Sequence, residues 1–336
     1  MTRTTRIVAA ALGAVLLLGA CGGGDEETAA AGTGGSGPVE QVDFGYIGDW
    51  NGASLLAVAD KEGLWAKHGL DVKASVFTNG PLQIQALGTG DLDFGYIGPG
   101  AMWLPASGKA KLVAMNTLGN ADRVIAQPGI DSVTDLKGKK VGVPEGTSGD
   151  MILTLALEEA GLSNADVQRV PLDPTTMVSA FSSKQIDAAG FWYPAIATIK
   201  KQVPDLVELA KNEDFSAEVS FPTAFVASND LVAQKPETVK KVLAALREAM
   251  AFRADSNAEA IAATAELLQR PEADVAADAK NSALIPVADL DTFSEDGTIT
   301  RWLTGMNDYF VASGKLPGPV DPSTYYTADL FTSAAG

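Results

Sequence analysis

The chain has 336 residues, a formal net charge of −17 at neutral pH, one cysteine and one histidine. A surface this acidic repels nucleic acid and anionic lipid headgroups, and a single cysteine excludes a disulfide within the chain. The length exceeds what one compact core comfortably fills, so two lobes are expected.

Arg3 and Arg6 precede a short apolar run over 7–18, and "LLGAC" follows at 17–21. A basic start and an apolar stretch too short to span a bilayer form the pattern of a secretory signal. The five residues resemble a bacterial lipoprotein cleavage site, which implies a signal segment over 1–20 and a lipid on Cys21. The competing role for Cys21 is a buried free thiol, but a cysteine directly after such a run is a poor core residue. Residues 21–38 are rich in Gly, Ala, Thr and Ser and hold no large apolar side chain. They cannot bury enough surface to offset chain entropy and are expected to form a flexible tether.

From 39 onward, strand-like and helix-like segments alternate. "VDFGYIG" predicts a strand, 53–62 a helix stopped by Gly63, and 70–77 a second strand. "TNGPLQIQALGTG" is a short helix opened by Pro81 and closed by Gly88 and Gly90. A second "DFGYIG" stands at 93–98, repeating the one at 43–48. Residues 99–107 suit a short helix and 111–116 a strand. The grammar then recurs: strand at 141–143, apolar helix up to Ala160, strand at 167–172, helix at 175–183, strand at 186–192 and helix at 194–201. Beyond 236 the character turns helical, with Val239, Val242, Leu243, Leu246 and Met250 on one face. Further helices are expected at 258–268 and 298–311. The alternation predicts parallel sheets with crossover helices.

"ADKEGLWAKHGLDV", "FTNGPLQIQALGTGDLDFGYIG", "DLKGKKVGVPEGT", "QIDAAGFWYPA" and "KPETVKKVLAALREAMAF" occur in this order. The set resembles the solute-binding proteins of ABC importers for nitrate, sulfonates and taurine, a group that also includes binders of thiamine-precursor pyrimidines. The likeness covers about 40–270. It implies an α/β, two-lobed periplasmic-binding-protein fold of type II, its lobes joined by two crossover strands. Lobe one would be 39–124 with 222–336, lobe two 125–221, and "DRVIAQP" and "FPTAFVAS" the crossovers. It also implies a small-molecule ligand, an ABC permease with its ATPase as partners, no cofactor, a monomer, and a place on the outer face of the cell membrane through the lipid on Cys21.

Ligands of open α/β sheets bind beyond the carboxyl ends of the strands, where helix N-termini attract anions. Four loops qualify. In "GDWN", Asn51 is a helix cap or a ligand contact, Trp50 a core filler or a cleft wall, and Asp49 a surface turn or cap residue or the partner of an amine or ring N–H. In "GPGAMW", Gly98 and Gly100 allow close backbone approach and Pro99 restrains the turn. In "EGTSG", Thr147 and Ser148 are plausible caps, and the resemblance implies that they also hold the ligand's acidic group. In "GFWYP", the resemblance implies an aromatic over the ligand, Trp192 first and Tyr193 second. Asn116 and Phe221, at strand ends near the crossovers, are further candidates, and Arg123 is the one arginine near enough to be considered.

An enzyme is the alternative of a different class, since a pyrimidine synthase belongs to the wider group. His68 sits at an expected exposed helix end, and no HxxxH, CxxC or acidic calcium-loop motif is present. A sensor or adhesion lipoprotein on the same fold is a further alternative. The expected mechanism is closure of the two lobes around ligand. The repeated hexapeptide reads as one device used twice, two strands of one lobe whose glycine ends open toward the cleft, because the flanks of the two copies diverge. Attention therefore falls on Asp49, Trp50 and Asn51 after the first copy and on Pro99, Gly100 and Ala101 after the second.

Overall fold

The computed structural model describes residues 39–334. The expected signal segment, the tether and Cys21 lie outside the described residues. In chain order the strands are β1 (Glu40–Ile47), β2 (Leu70–Phe77), β3 (Phe94–Ile97), β4 (Lys111–Gly119), β5 (Asp122–Ala126), β6 (Lys140–Val143), β7 (Gln168–Pro171), β8 (Ala188–Trp192), β9 (Val207–Lys211), β10 (Pro222–Ala227) and β11 (Ser282–Leu284). They form two sheets, one ordered β11-β4-β10-β3-β1-β2 and the other β7-β6-β8-β5-β9. The chain passes from the first to the second between Gly119 and Asp122 and returns between Lys211 and Pro222. The presumed crossover segments therefore supply β5 and β10, each a paired member of one sheet.

The sheets are mixed rather than parallel throughout. β1 pairs in parallel with β2 and β3, and β6 with β7 and β8, as the alternating pattern predicts. β10 runs antiparallel to β3 and β4, and β5 antiparallel to β8 and β9. β5 and β10 are each the first strand laid down after the chain changes sheets, where no crossover helix enforces the parallel direction, and the short edge strand β11 is also antiparallel to its neighbour β4.

The two "DFGYIG" copies are neighbours, β1 and β3, in a register that sets Phe44 beside Phe94. Their rings stack at 5.5 Å, and Phe225 on β10 meets Phe44 edge-on at 5.8 Å. Burying each ring contributes about 2–3 kcal/mol. The Asp43 N–H donates to the Asp93 carboxylate at 3.0 Å, and the Asp93 N–H donates to the Asp43 carbonyl at 2.9 Å. Gly45 and Gly95 leave a furrow for Gln83 of helix Gly80–Thr89. The Gln83 side-chain oxygen accepts the Tyr96 N–H at 2.8 Å.

Local chemistry sets the helix ends. Asp49 caps helix Trp50–Lys61, accepting the Gly52 N–H at 2.7 Å, and Asn79 caps helix Gly80–Thr89 through the Leu82 N–H at 3.0 Å. In helix Pro236–Asp255 the apolar face read from the sequence is buried throughout. Short helices at Asn229–Gln234, Glu272–Ala279, Val287–Glu295 and Ala328–Ser333 escaped the sequence reading, because none is long enough to display a helical period. Among the described residues no helix is long and apolar enough to cross a membrane.

Candidate functional site

A cavity of about 40 Å³ lies on the seam between the two sheets, beyond the carboxyl ends of β1 and β3. Its size suits a small polar solute rather than a drug-sized one. One part of its wall is acidic. Asp49 uses one carboxylate oxygen as a helix cap and also lines the cavity. Burial pushes its carboxyl well above the ordinary range, and Asp278 and Asp122 push it further. Asp122, the first residue of β5, donates its N–H to Asn212 Oδ1 at 2.8 Å and accepts from Asn212 Nδ2 at 2.9 Å. Its carboxyl is also raised by burial, with Ser148 and Asn212 restraining the rise. Asp278 stands behind them and accepts the Trp50 N–H at 2.8 Å, its carboxyl raised by burial to about 6.

The rest of the wall donates. Thr147 and Ser148 open helix Ser148–Glu159 onto the cavity. The Thr147 hydroxyl is turned back to the Pro144 carbonyl at 2.6 Å, so no side chain caps this helix and its first N–H groups are left to the cavity end. Asn51 Oδ1 accepts from Thr117 Oγ1 at 3.0 Å and from Ser282 Oγ at 2.7 Å. With its oxygen doubly engaged, Asn51 offers its amide N–H₂ to the cavity that it lines. Gly98 and Pro99 supply backbone wall, and the Trp192 ring, tilted against Phe191 at 4.8 Å, supplies an aromatic one. The cavity thus presents carboxylates and hydrogen-bond donors to one small volume.

Five candidates lie elsewhere. Trp50 is 1% exposed and is core, not cleft wall, because the first turn of its helix is pressed between Asp278 and Arg253. Asn116 is fully buried behind the floor, donating to the Asn51 carbonyl at 2.8 Å. Gly100 admits protein rather than ligand: a Cβ there would lie 2.1 Å from the Thr147 carbonyl oxygen, so this glycine lets the turn after β3 touch the loop before helix Ser148–Glu159. Tyr193 points to the far side and donates to Glu208 at 2.7 Å. Phe221 borders a separate surface hollow with Asn120 and Val219. Arg123 is held by Glu208 at 3.1 Å and by the Asn120 and Asp122 carbonyls, away from the cavity. His68 pairs with Glu248 at 2.8 Å and takes no part in the cavity wall.

The sequence reading missed Asn79, Gly80, Tyr96, Asp122 and Thr223, all of which line the cavity. "TNGP" carried a usable signal, an asparagine cap before a Gly-Pro helix start. Tyr96 sits inside the repeated hexapeptide, where attention went to the flanks. Asp122 and Thr223 each begin or follow the start of a strand that only the change of sheet brings to the seam. A second buried cation was also missed. Arg253 donates to Ser54 at 2.9 Å and to Asn116 at 2.8 Å, and burial lowers its pKa to about 9. It backs the floor and does not reach the cavity.

Two open α/β lobes with a small polar cavity between them define the periplasmic-binding-protein fold. The alkanesulfonate-binding protein SsuA of Xanthomonas axonopodis pv. citri superposes with a TM-score of 0.71 at 22% identity, covering 87% of this chain and 99% of that one. The family model described as NMT1/THI5 like matches residues 51–260. A protein of Brucella abortus named as a binding protein is 56% identical over 87% of this chain and 92% of its own length. The taurine-binding periplasmic protein of Escherichia coli is 25% identical over 83% of this chain and 89% of its own. The chain belongs to the NMT1/THI5-like family.

Proposed function

We propose that the chain is an extracytoplasmic, lipid-anchored solute-binding protein. It captures a small zwitterionic or anionic organic solute of the taurine and sulfonate class between the lobes built on its two sheets, the first boundary falling before β5 rather than at the expected 124, and delivers it to an ABC importer. The observation that carries this reading is the pairing of two chemistries in one small cavity. Asp49 and Asp122 offer negative charge to an amine, while the open start of helix Ser148–Glu159 and the Asn51 amide offer donors to a sulfonate. The named activities of the taurine- and sulfonate-binding relatives agree with it. Cys21 would carry the anchor, and the ligand would bridge both lobes and favour their closed arrangement.

Titration calorimetry with taurine, ethanesulfonate and ethylamine tests the pairing. Taurine should bind at least tenfold more tightly than either fragment and raise the melting temperature. Equal affinity for ethanesulfonate would remove the role given to the carboxylates. A second reading is favoured by Trp192 beside Asp49: an aminopyrimidine could stack on the ring and donate to the carboxylate. Including an aminopyrimidine in the same panel separates the two. The protein is proposed to bind without converting its ligand, and recovery of chemically altered ligand by mass spectrometry would place it among enzymes instead.

A further inference from the structure

Ile47, Asp49 and Trp192 are walls of two spaces, not one. On one side is the cavity described above; on the other a groove of about 330 Å³ runs along the seam between the lobes. Phe77 continues the aromatic surface of Trp192 into this groove, with the buried Phe191 packed behind that ring, and Arg270 and Asp274 stand on the rim. Two contacts between the lobes flank it. Thr78 Oγ1 donates to Asp173 at 3.2 Å, and Lys201 pairs with Asp274 at 3.4 Å. Asp274 is therefore engaged. Arg270 follows the left-handed Gln269 that ends helix Asn257–Leu268, and among the described residues no carboxylate lies within 4.0 Å of its guanidinium. Its charge acts through space on Asp49 and Asp278 and works against the rise that burial causes in both carboxyls.

We propose that this groove is a second subsite, which takes a substituent on the nitrogen of the bound amine and meets a carboxylate at the end of that substituent with Arg270. The inference rests on the reading of Asp49 as the partner of the amine. An ammonium at Asp49 stands where the two spaces join. With its sulfonate arm directed inward to the Ser148 helix start, its other substituent leads past Trp192 into the groove that shares this wall. The aromatic rings cover the carbon chain. Arg270 supplies a planar, permanently charged fork suited to a carboxylate. Because Thr78, Asp173, Lys201 and Asp274 span the groove from opposite lobes, a ligand lying in it would also bridge the lobes. The ligand class is thus an N-substituted aminosulfonate carrying a second, distal anion, and unsubstituted taurine fills only half of the site.

The test uses the full chain and its Arg270→Gln variant, with taurine, N-(3-carboxypropyl)taurine and the corresponding carboxamide, by titration calorimetry. The wild type should prefer the carboxylate over the carboxamide by about tenfold, as one charge-assisted contact at a half-exposed arginine provides. R270Q should lose that preference, the carboxylate-to-carboxamide ratio being read within each protein so that any change Arg270 makes at Asp49 acts equally on both ligands. Equal binding of carboxylate and carboxamide by the wild type, or a preference that survives in R270Q, would overturn the subsite. Taurine failing while the extended carboxylate binds through Arg270 would sink the short-ligand reading alone. Failure of all three ligands would sink both.

Discussion

Two stretches of this protein have the same six residues and become the same strand, yet they lead to different ends. After β1 the chain turns at once into a helix capped by Asp49, and the side chain that follows, Trp50, is driven into the core. After β3 it turns through Gly98, Pro99 and Gly100, and the backbone itself is pushed against the opposite lobe. The first copy delivers a charge to the cavity, and the second delivers a contact between lobes. Equal strands position; unequal flanks do the chemistry.

The comparison breaks hardest at the glycines. Gly100→Val puts side-chain atoms where the Thr147 carbonyl lies, 2.1 Å from a Cβ, whereas Gly48→Ala meets nothing closer than Val76 at 3.6 Å. The valine variant should lose ligand-dependent compaction in solution scattering and at least a hundredfold in affinity for taurine, while Gly48→Ala behaves as the wild type. If both variants close normally, the contact after β3 is not part of closure.

Next in size is the charge. Asp49→Asn keeps a competent helix cap but removes the carboxylate. Taurine affinity at pH 8 should fall about tenfold to a hundredfold, as expected for a lost bond to a charged group. The raised pKa of Asp49 sets the sign with pH. Acidification protonates Asp49 while the amine stays charged, so wild-type affinity weakens as pH falls, and the asparagine variant should show a flatter profile. A profile unchanged by the substitution would assign the proton to Asp122 or Asp278 instead.

The smallest effect tests what the copies share. Gly45→Ala brings a Cβ to 2.6 Å from Leu92 and 2.8 Å from the Gln83 oxygen, and Gly95→Ala to 3.0 Å from the same oxygen. Both crowd the Gln83 furrow and should lower stability by about 1–3 kcal/mol, Gly45→Ala the more. Thermal melts of the two variants give the order, and a neutral Gly45→Ala would mean that the furrow yields easily.

The local code was legible where its signals are local. The stops at Gly63 and Gly90 and the buried face of helix Pro236–Asp255 follow from neighbours within a few residues, whereas the cap expected at Asn51 falls instead on Asp49, and that at Asn79 was not read. So did the adjacency of the two hexapeptides to one cleft. Trp50 was ambiguous because one side chain at a strand end can turn inward or outward, and the choice was made by Arg253 and Asp278, more than two hundred residues away. Gly100 was read as room for a ligand because sequence marks a glycine's freedom but not what approaches it.

What the sequence determined by itself is the longer helices and most of the strands before 236, since each is set by short-range hydrogen bonding and periodicity. Tertiary structure alone decided which polar groups share the cavity. Asp49, Asp122 and Ser148 stand on three separate elements, and Asp122 reaches the seam because its strand is the first laid down after the chain changes sheets. The electrostatics follow from that meeting: burial raises the carboxyls of Asp49 and Asp122, and at Asp49 repulsion from Asp278 of the same lobe is joined by that of Asp122 at the seam.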